Sequence, residues 1–278
     1  MSHLVHRLVG AFVGAVSVST FAVVGTAGAQ AATATCPIDQ VTEQGTCAPL
    51  VPEPPPTDFQ KKQAAEKAAA AGGLATTMST NDPGGGPDAY VLPEVKAMRI
   101  FKEGEGNGKK SYTCGPAATR NMVAAMYKRR TGAYKDFGEA QFATWEKTTT
   151  AGTSRANVAR ALNAHFSSFG HWTTSRPTSK ASLLTTVKSD TSVYHQPVIA
   201  NIDTGYLEEF WGKNLPHFDL IYGYDATGAT TFLKFAEEWD PIYIYGASTY
   251  GNPYGHQKAT LQHAFTAITH TAIHGIVS

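Results

Sequence analysis

Three regimes of hydrophobic patterning divide the chain. Leu8 to Val24 is one uncharged run of Val, Ala, Gly, Phe and Leu, diluted by Gly10, Gly14, Ser17, Ser19 and Thr20. Residues 32–88 show no apolar period. From Tyr90 onward the period is first helical and then strand-like. Cys114 to Arg130 sets Ala118, Met122, Val123 and Met126 at helical spacing. Pro116 suits its first turn, and Lys128, Arg129 and Arg130 suit the negative end of its dipole. Residues 137–148, 153–166 and 181–189 read as further helices, the second with Val158, Leu162 and Phe166 along one face. Apolar runs follow at 197–202, 217–224 and 230–236, and the last two flank a turn containing Gly228, a hairpin signal. Residues 243–245 read as another strand and 258–269 as another helix. A helical half followed by an antiparallel sheet predicts an α+β domain over residues 89–278.

The first regime reads as an address. His6 and Arg7 precede the apolar run, and Ala27, Gly28, Ala29, Gln30 and Ala31 follow it with two Ala-x-Ala-like sites. A basic start, an apolar middle and a small-residue exit predict a signal peptide over residues 1–31 and a secreted, extracellular product. No later apolar stretch is long enough to span a bilayer, so no stable membrane insertion is expected after cleavage. The second regime holds a loop between Cys36 and Cys47, a proline cluster from Pro49 to Pro56, a solvated helix over 58–71 and a Gly-rich linker. None of it reads as a globular domain. It fits a tether, a surface-association segment or a removable pro-segment.

Export gives the three cysteines a meaning. In an oxidising compartment Cys36 and Cys47 are expected to pair, which leaves Cys114 single. Charge adds an exclusion: with Lys+Arg 23 against Asp+Glu 22, a net +1 has no field to recruit nucleic acid or anionic lipid.

A cysteine at the N-terminal edge of a helix meets the positive end of the dipole and unpaired backbone N–H groups. Both favour the thiolate, the nucleophilic form. Gly115 beside it would let a substrate carbonyl approach the backbone. Such a thiolate needs a proton acceptor, and histidine is the natural one. His217 stands out because Pro216 precedes it and an apolar strand follows. His171 and His195 sit in polar loops, and His256, His263, His270 and His274 lack a strand frame.

Four motifs occur in order: Tyr112-Thr113-Cys114-Gly115-Pro116-Ala117-Ala118, then Gln196-Pro197-Val198-Ile199-Ala200, then the His217–Asp225 strand, then Asp240-Pro241. Over roughly residues 90–275 this resembles cysteine peptidase family 39 and its secreted bacterial relatives. Those are papain-like folds whose founding members cleave bacteriocin leaders after a double glycine. The resemblance implies Cys114 as nucleophile, His217 as base and Asp240 as the acid that orients the imidazole. Glu237 and Glu238 are nearby rivals for the acid, with Asp219 and Asp225 also close in sequence. The family usually carries a glutamine before the cysteine, whose amide helps bind the oxyanion. Residues 105–110 contain none, and Asn107 is the candidate substitute.

The expected partner is a peptide or protein substrate, met by a monomer without cofactor. No metal is expected either, since Cys114 has no second cysteine at ligand spacing. Tyr206, Phe210, Trp211 and Tyr222 are candidates to line the cleft. One rival reading is a peptidoglycan amidase or endopeptidase, although the Asp-Cys-Ser-Gly motif usual there is Thr113-Cys114-Gly115-Pro116 here. Another is a binding protein that keeps the fold without turnover, to which the missing glutamine points.

Overall fold

A computed structural model describes residues 87–207, 215–246, 253–270 and 274–278. The expected signal peptide, the Cys36–Cys47 pair, the proline cluster, nearly all of the linker, Phe210 and Trp211 lie outside the described residues. Among the described residues seven strands form one antiparallel sheet: β1 (Ala89–Val91), β2 (Thr174–Ser175), β3 (Val198–Asp203), β4 (Pro216–Asp225), β5 (Phe232–Glu237), β6 (Gly255–Thr260) and β7 (Gly275–Val277). Their order is β2-β7-β3-β4-β5-β6, and β1 also pairs with β4.

Helices cover both faces, and strand parity decides which residue meets which layer. One face carries α1 (Pro93–Lys96), α2 (Cys114–Thr131), α3 (Glu139–Trp145) and α4 (Arg155–Phe166). There Met122, Val123, Phe142, Val158 and Leu162 pack with Ile199, Phe218, Leu220, Tyr222 and Ala236 of the sheet. The other face carries α5 (Lys180–Lys188) and α7 (Leu261–Thr269). Leu183, Val187, Ala264 and Ile268 meet the alternate residues Val198, Ala200, Ile202, Ile221, Leu233 and Phe235. The expected α+β architecture is the observed one.

Central β4 is held on one edge by β3 along residues 216–221 and by β1 along 223–225. Gly223 permits this, because a Cβ there would overlap Tyr90 O and crowd Val91. The register shift in β4–β5 falls at the same place, between Ile221 and Gly223.

Two expected elements differ. Residues 243–245 belong to a helical turn, α6 (Pro241–Tyr245), and not to a strand. Asp240 caps its N-terminus by accepting from Tyr243 N–H, Pro241 occupies the first turn, and Gly246 closes it in the left-handed region. Residues 258–269 are strand as far as Thr260 and helix from Leu261. Thr260 is the boundary: its hydroxyl accepts from His263 N–H as the helix cap. Among the described residues no helix is long and apolar enough to cross a membrane.

Candidate active site

Cys114 is the first residue of α2, and its thiol is not in a disulfide. It is buried, 4% exposed. Eighteen residues of helix place the positive end of the dipole at this sulfur. The N-terminus is fixed from outside the helix. Thr113 N–H donates to Glu103 Oε1 at 2.9 Å, and Thr113 Oγ1 donates to Glu139 Oε1 at 2.7 Å. Gly115 sits against β4: a Cβ on it would overlap Thr153 and come to 3.5 Å from the Phe218 ring. The glycine is therefore explained by this packing, where sequence alone suggested room for a substrate carbonyl. It also brings the start of α2 to the His217 end of β4.

His217 is 4% exposed, and its Nε2 meets Glu237 Oε1 at 2.8 Å. The same oxygen accepts Trp239 N–H at 2.8 Å, and the Trp239 side chain is buried beside it. Glu237 ends β5 on the row of Leu233 and Phe235, the face on which His217 pairs across from Ile202. The imidazole is thus oriented through Nε2 by an anion in a nearly water-free setting.

More carboxyl groups surround this pair. Asp219 is fully buried and accepts from Leu220 N–H at 2.7 Å. Burial first, and then the charge of Glu237, hold its carboxyl well above the usual range, with His217 pulling the other way. Glu238 Oε1 is 3.7 Å from His217 Nε2. Both its carboxyl oxygens are buried without a hydrogen-bond partner. Burial, and then Glu237, Asp219 and Glu103, raise it strongly. On the helix side, burial pushes Glu139 up to about 7 and Glu146 up to about 8. In each, burial disfavours the charged form because water cannot solvate it.

Asp240, the acid implied by the family resemblance, is engaged elsewhere. Its carboxylate caps α6 and pairs with Lys102 Nζ at 2.7 Å, and the carboxylate on His217 is its rival Glu237. Although it is partly buried, hydrogen bonds and the Lys102 charge hold it below the ordinary Asp range. Asn107 likewise has a protein partner: Nδ2 donates to Glu139 Oε1 at 3.3 Å, so the amide expected for an oxyanion braces the α2 entry. Asp225 caps the hairpin turn through Thr227. Of the aromatic residues, Tyr206 lies tilted against His270, and Tyr222 packs edge-on against His256. The signal that identifies Glu237 is alternation: Leu233, Phe235 and Glu237 are one row of a strand.

His217, Glu237 and Glu238 have donor atoms within 4.8 Å of one another, near enough to share an ion. The 2.8 Å His217–Glu237 separation is that of a hydrogen bond.

No family profile matches the chain, and no curated protein sequence does. The fold is similar to that of solved cysteine proteases. Bromelain of Ananas comosus with an inhibitor bound aligns at 14% identity over 68% of this chain and 97% of that one, with a TM-score of 0.46. The ragweed pollen allergen cysteine protease in its proform aligns at 15% identity over 81% and 75%, with a TM-score of 0.48. Digestive procathepsin L 3 of Tenebrio molitor aligns at 12% identity over 72% and 71%, with a TM-score of 0.47.

Proposed function

We infer that this chain is a secreted cysteine peptidase of papain-like type, with Cys114 as nucleophile, His217 as base and Glu237 as the orienting acid. The buried 2.8 Å bond from Glu237 to His217 Nε2, at the end of β4 where α2 begins, carries the reading. With Nε2 bonded to Glu237, Nδ1 takes the Cys114 proton. The thiolate attacks a peptide carbonyl, and the imidazolium returns its proton to the leaving amine, giving an acyl-enzyme. Water enters, loses a proton to His217, and releases the acid and the thiol. The Trp239 N–H holds the same Glu237 oxygen, and His217, Glu237 and Trp239 are all buried, which keeps water from the pair.

A second reading, a binding protein without turnover, is favoured by one observation. The Asn107 amide is already bonded to Glu139, so the oxyanion would depend on backbone donors at the start of α2.

Alkylation by iodoacetamide across pH decides between them. Peptidase chemistry requires fast labelling near neutral pH that is lost in Cys114→Ala and strongly slowed in His217→Ala. Labelling only above the free-thiol range of about 8.5, indifferent to His217, would overturn the peptidase assignment.

A further inference from the structure

A cavity with a clear chemical character lies on the reverse side of β5 from Glu237. It measures about 430 Å³ and is lined by Tyr222, Lys234, His256, Gln257 and Lys258. Strand register builds it. Lys234 of β5 stands directly opposite Lys258 of β6, and Ala236, next to Glu237, stands opposite His256. Two ammonium groups at one cross-strand position repel, a repulsion that a bound anion would relieve.

β6 is the sheet's edge, and lysines commonly guard edges against pairing with other chains. That accounts for Lys258, whose ammonium lies 4.7 Å over the Phe232 ring. It does not account for Lys234, which sits on the inner strand with its side chain only 23% exposed. The acid facing this pair is Asp225, at 4.0 Å from Lys234 Nζ and already bonded to Thr227. Lys96 of α1 adds a further positive charge felt at His256. His256 bonds through one side to the Met98 backbone and packs its ring 5.3 Å from buried Tyr222.

We propose that this cavity is an anion site for a phosphate-type oxyanion, free or esterified, held between Lys234 and Lys258 with His256 and Tyr222 as further donors. Several donors approaching from three strands suit a tetrahedral oxyanion better than a planar carboxylate. The volume exceeds that of the ion and leaves room for an attached group. The proposal does not depend on catalysis at Cys114.

The test uses the full chain in chloride of constant ionic strength and follows a pH titration of His256, which burial holds below the ordinary imidazole range. Inorganic phosphate should saturate one site with a Kd on the order of 1 mM in calorimetry. The His256 ring signals in NMR should titrate with a pKa raised by about one unit. The paired change Lys234→Gln with Lys258→Gln should weaken phosphate about tenfold or more; Lys135→Gln, whose ammonium lies over the Tyr127 and Phe137 rings and does not line the cavity, should leave it unchanged. Glycerol 1-phosphate binding at least as tightly assigns an esterified source, and binding of inorganic phosphate alone assigns the free ion. An unmoved His256 titration in the unsubstituted protein would overturn the site, whatever the variants do. So would equal weakening by Lys135→Gln, which would mark general charge screening.

Discussion

Two carboxylates three residues apart in sequence live in opposite conditions. Glu237 is buried on the inner row of β5 and holds His217, whereas Asp240 sits at the rim, caps α6 and holds Lys102. Both are short, well-formed contacts. Only the first can steer a proton acceptor, because its partner is an imidazole and both side chains are buried away from water. The second neutralises a lysine whose ammonium also lies over the Tyr243 and Tyr254 rings. Proximity to a candidate histidine in sequence therefore says less than the parity of the strand that carries the acid.

The strongest way to break this contrast is to exchange the two losses. Glu237→Gln should lower kcat/KM on a peptide substrate by about a hundredfold or more, by allowing the wrong imidazole tautomer. Asp240→Asn should cost less than about fivefold, since it leaves the His217 contact in place. Reversal of that order would return the orienting role to Asp240.

Next in size is the response to pH, which has opposite signs in the two regions. Asp219, Glu238, Glu139 and Glu146 bind protons more tightly folded than unfolded. Their contribution is complete at low pH and is lost as pH rises from the unfolded carboxyl range through about 7 to 8. Asp240 is shifted downward, so its contribution is present at neutral pH and is lost only as pH falls through its lowered folded value. Tm should accordingly fall by several degrees between about pH 5 and pH 8. Glu146→Gln should flatten the upper part of that decline, and a profile that rises toward pH 8 would contradict it.

The smallest expected effect is that of Lys102→Met. It removes a partly exposed ion pair worth about 1 kcal/mol or less and should leave labelling of Cys114 unchanged. Denaturant unfolding measures the first quantity and alkylation the second.

How far the sequence revealed all this depends on the kind of signal each residue carries. The α2 helix and the β4–β5 hairpin were legible because their apolar periods are long and the turn holds Gly228. The sheet's flanks were harder. β1, β2 and β7 are two or three residues each, too short for a period to register. The Tyr243-Ile244-Tyr245 run alternates like a strand, yet the Asp240 cap and the Gly246 stop make a helical turn. Glu237 was within reach, but β5 had been expected to end one residue earlier, at Ala236. An acid just past a strand's expected end reads as loop, and the Asp-Pro pair beyond it competes as the more familiar pattern. The carboxyl cluster is a tertiary fact: Glu103, Glu139 and Glu146 come from segments distant from His217.

The pairing of β1 with β4 has a consequence for where the chain can be shortened. The Tyr224 hydroxyl donates to Pro87 O, and Ala226 N–H donates to Asp88 O. The upstream segment therefore joins β4 at the end opposite His217, about 23 Å away at the usual rise of a strand. A protein begun at Pro87 would keep every β4 backbone group between Gly223 and Asp225 paired. One begun at Pro93 would strip that length bare and leave an adhesive strip of N–H and C=O groups on the strand that carries His217. Self-association, rather than lost chemistry, would then be the first symptom of trimming too far.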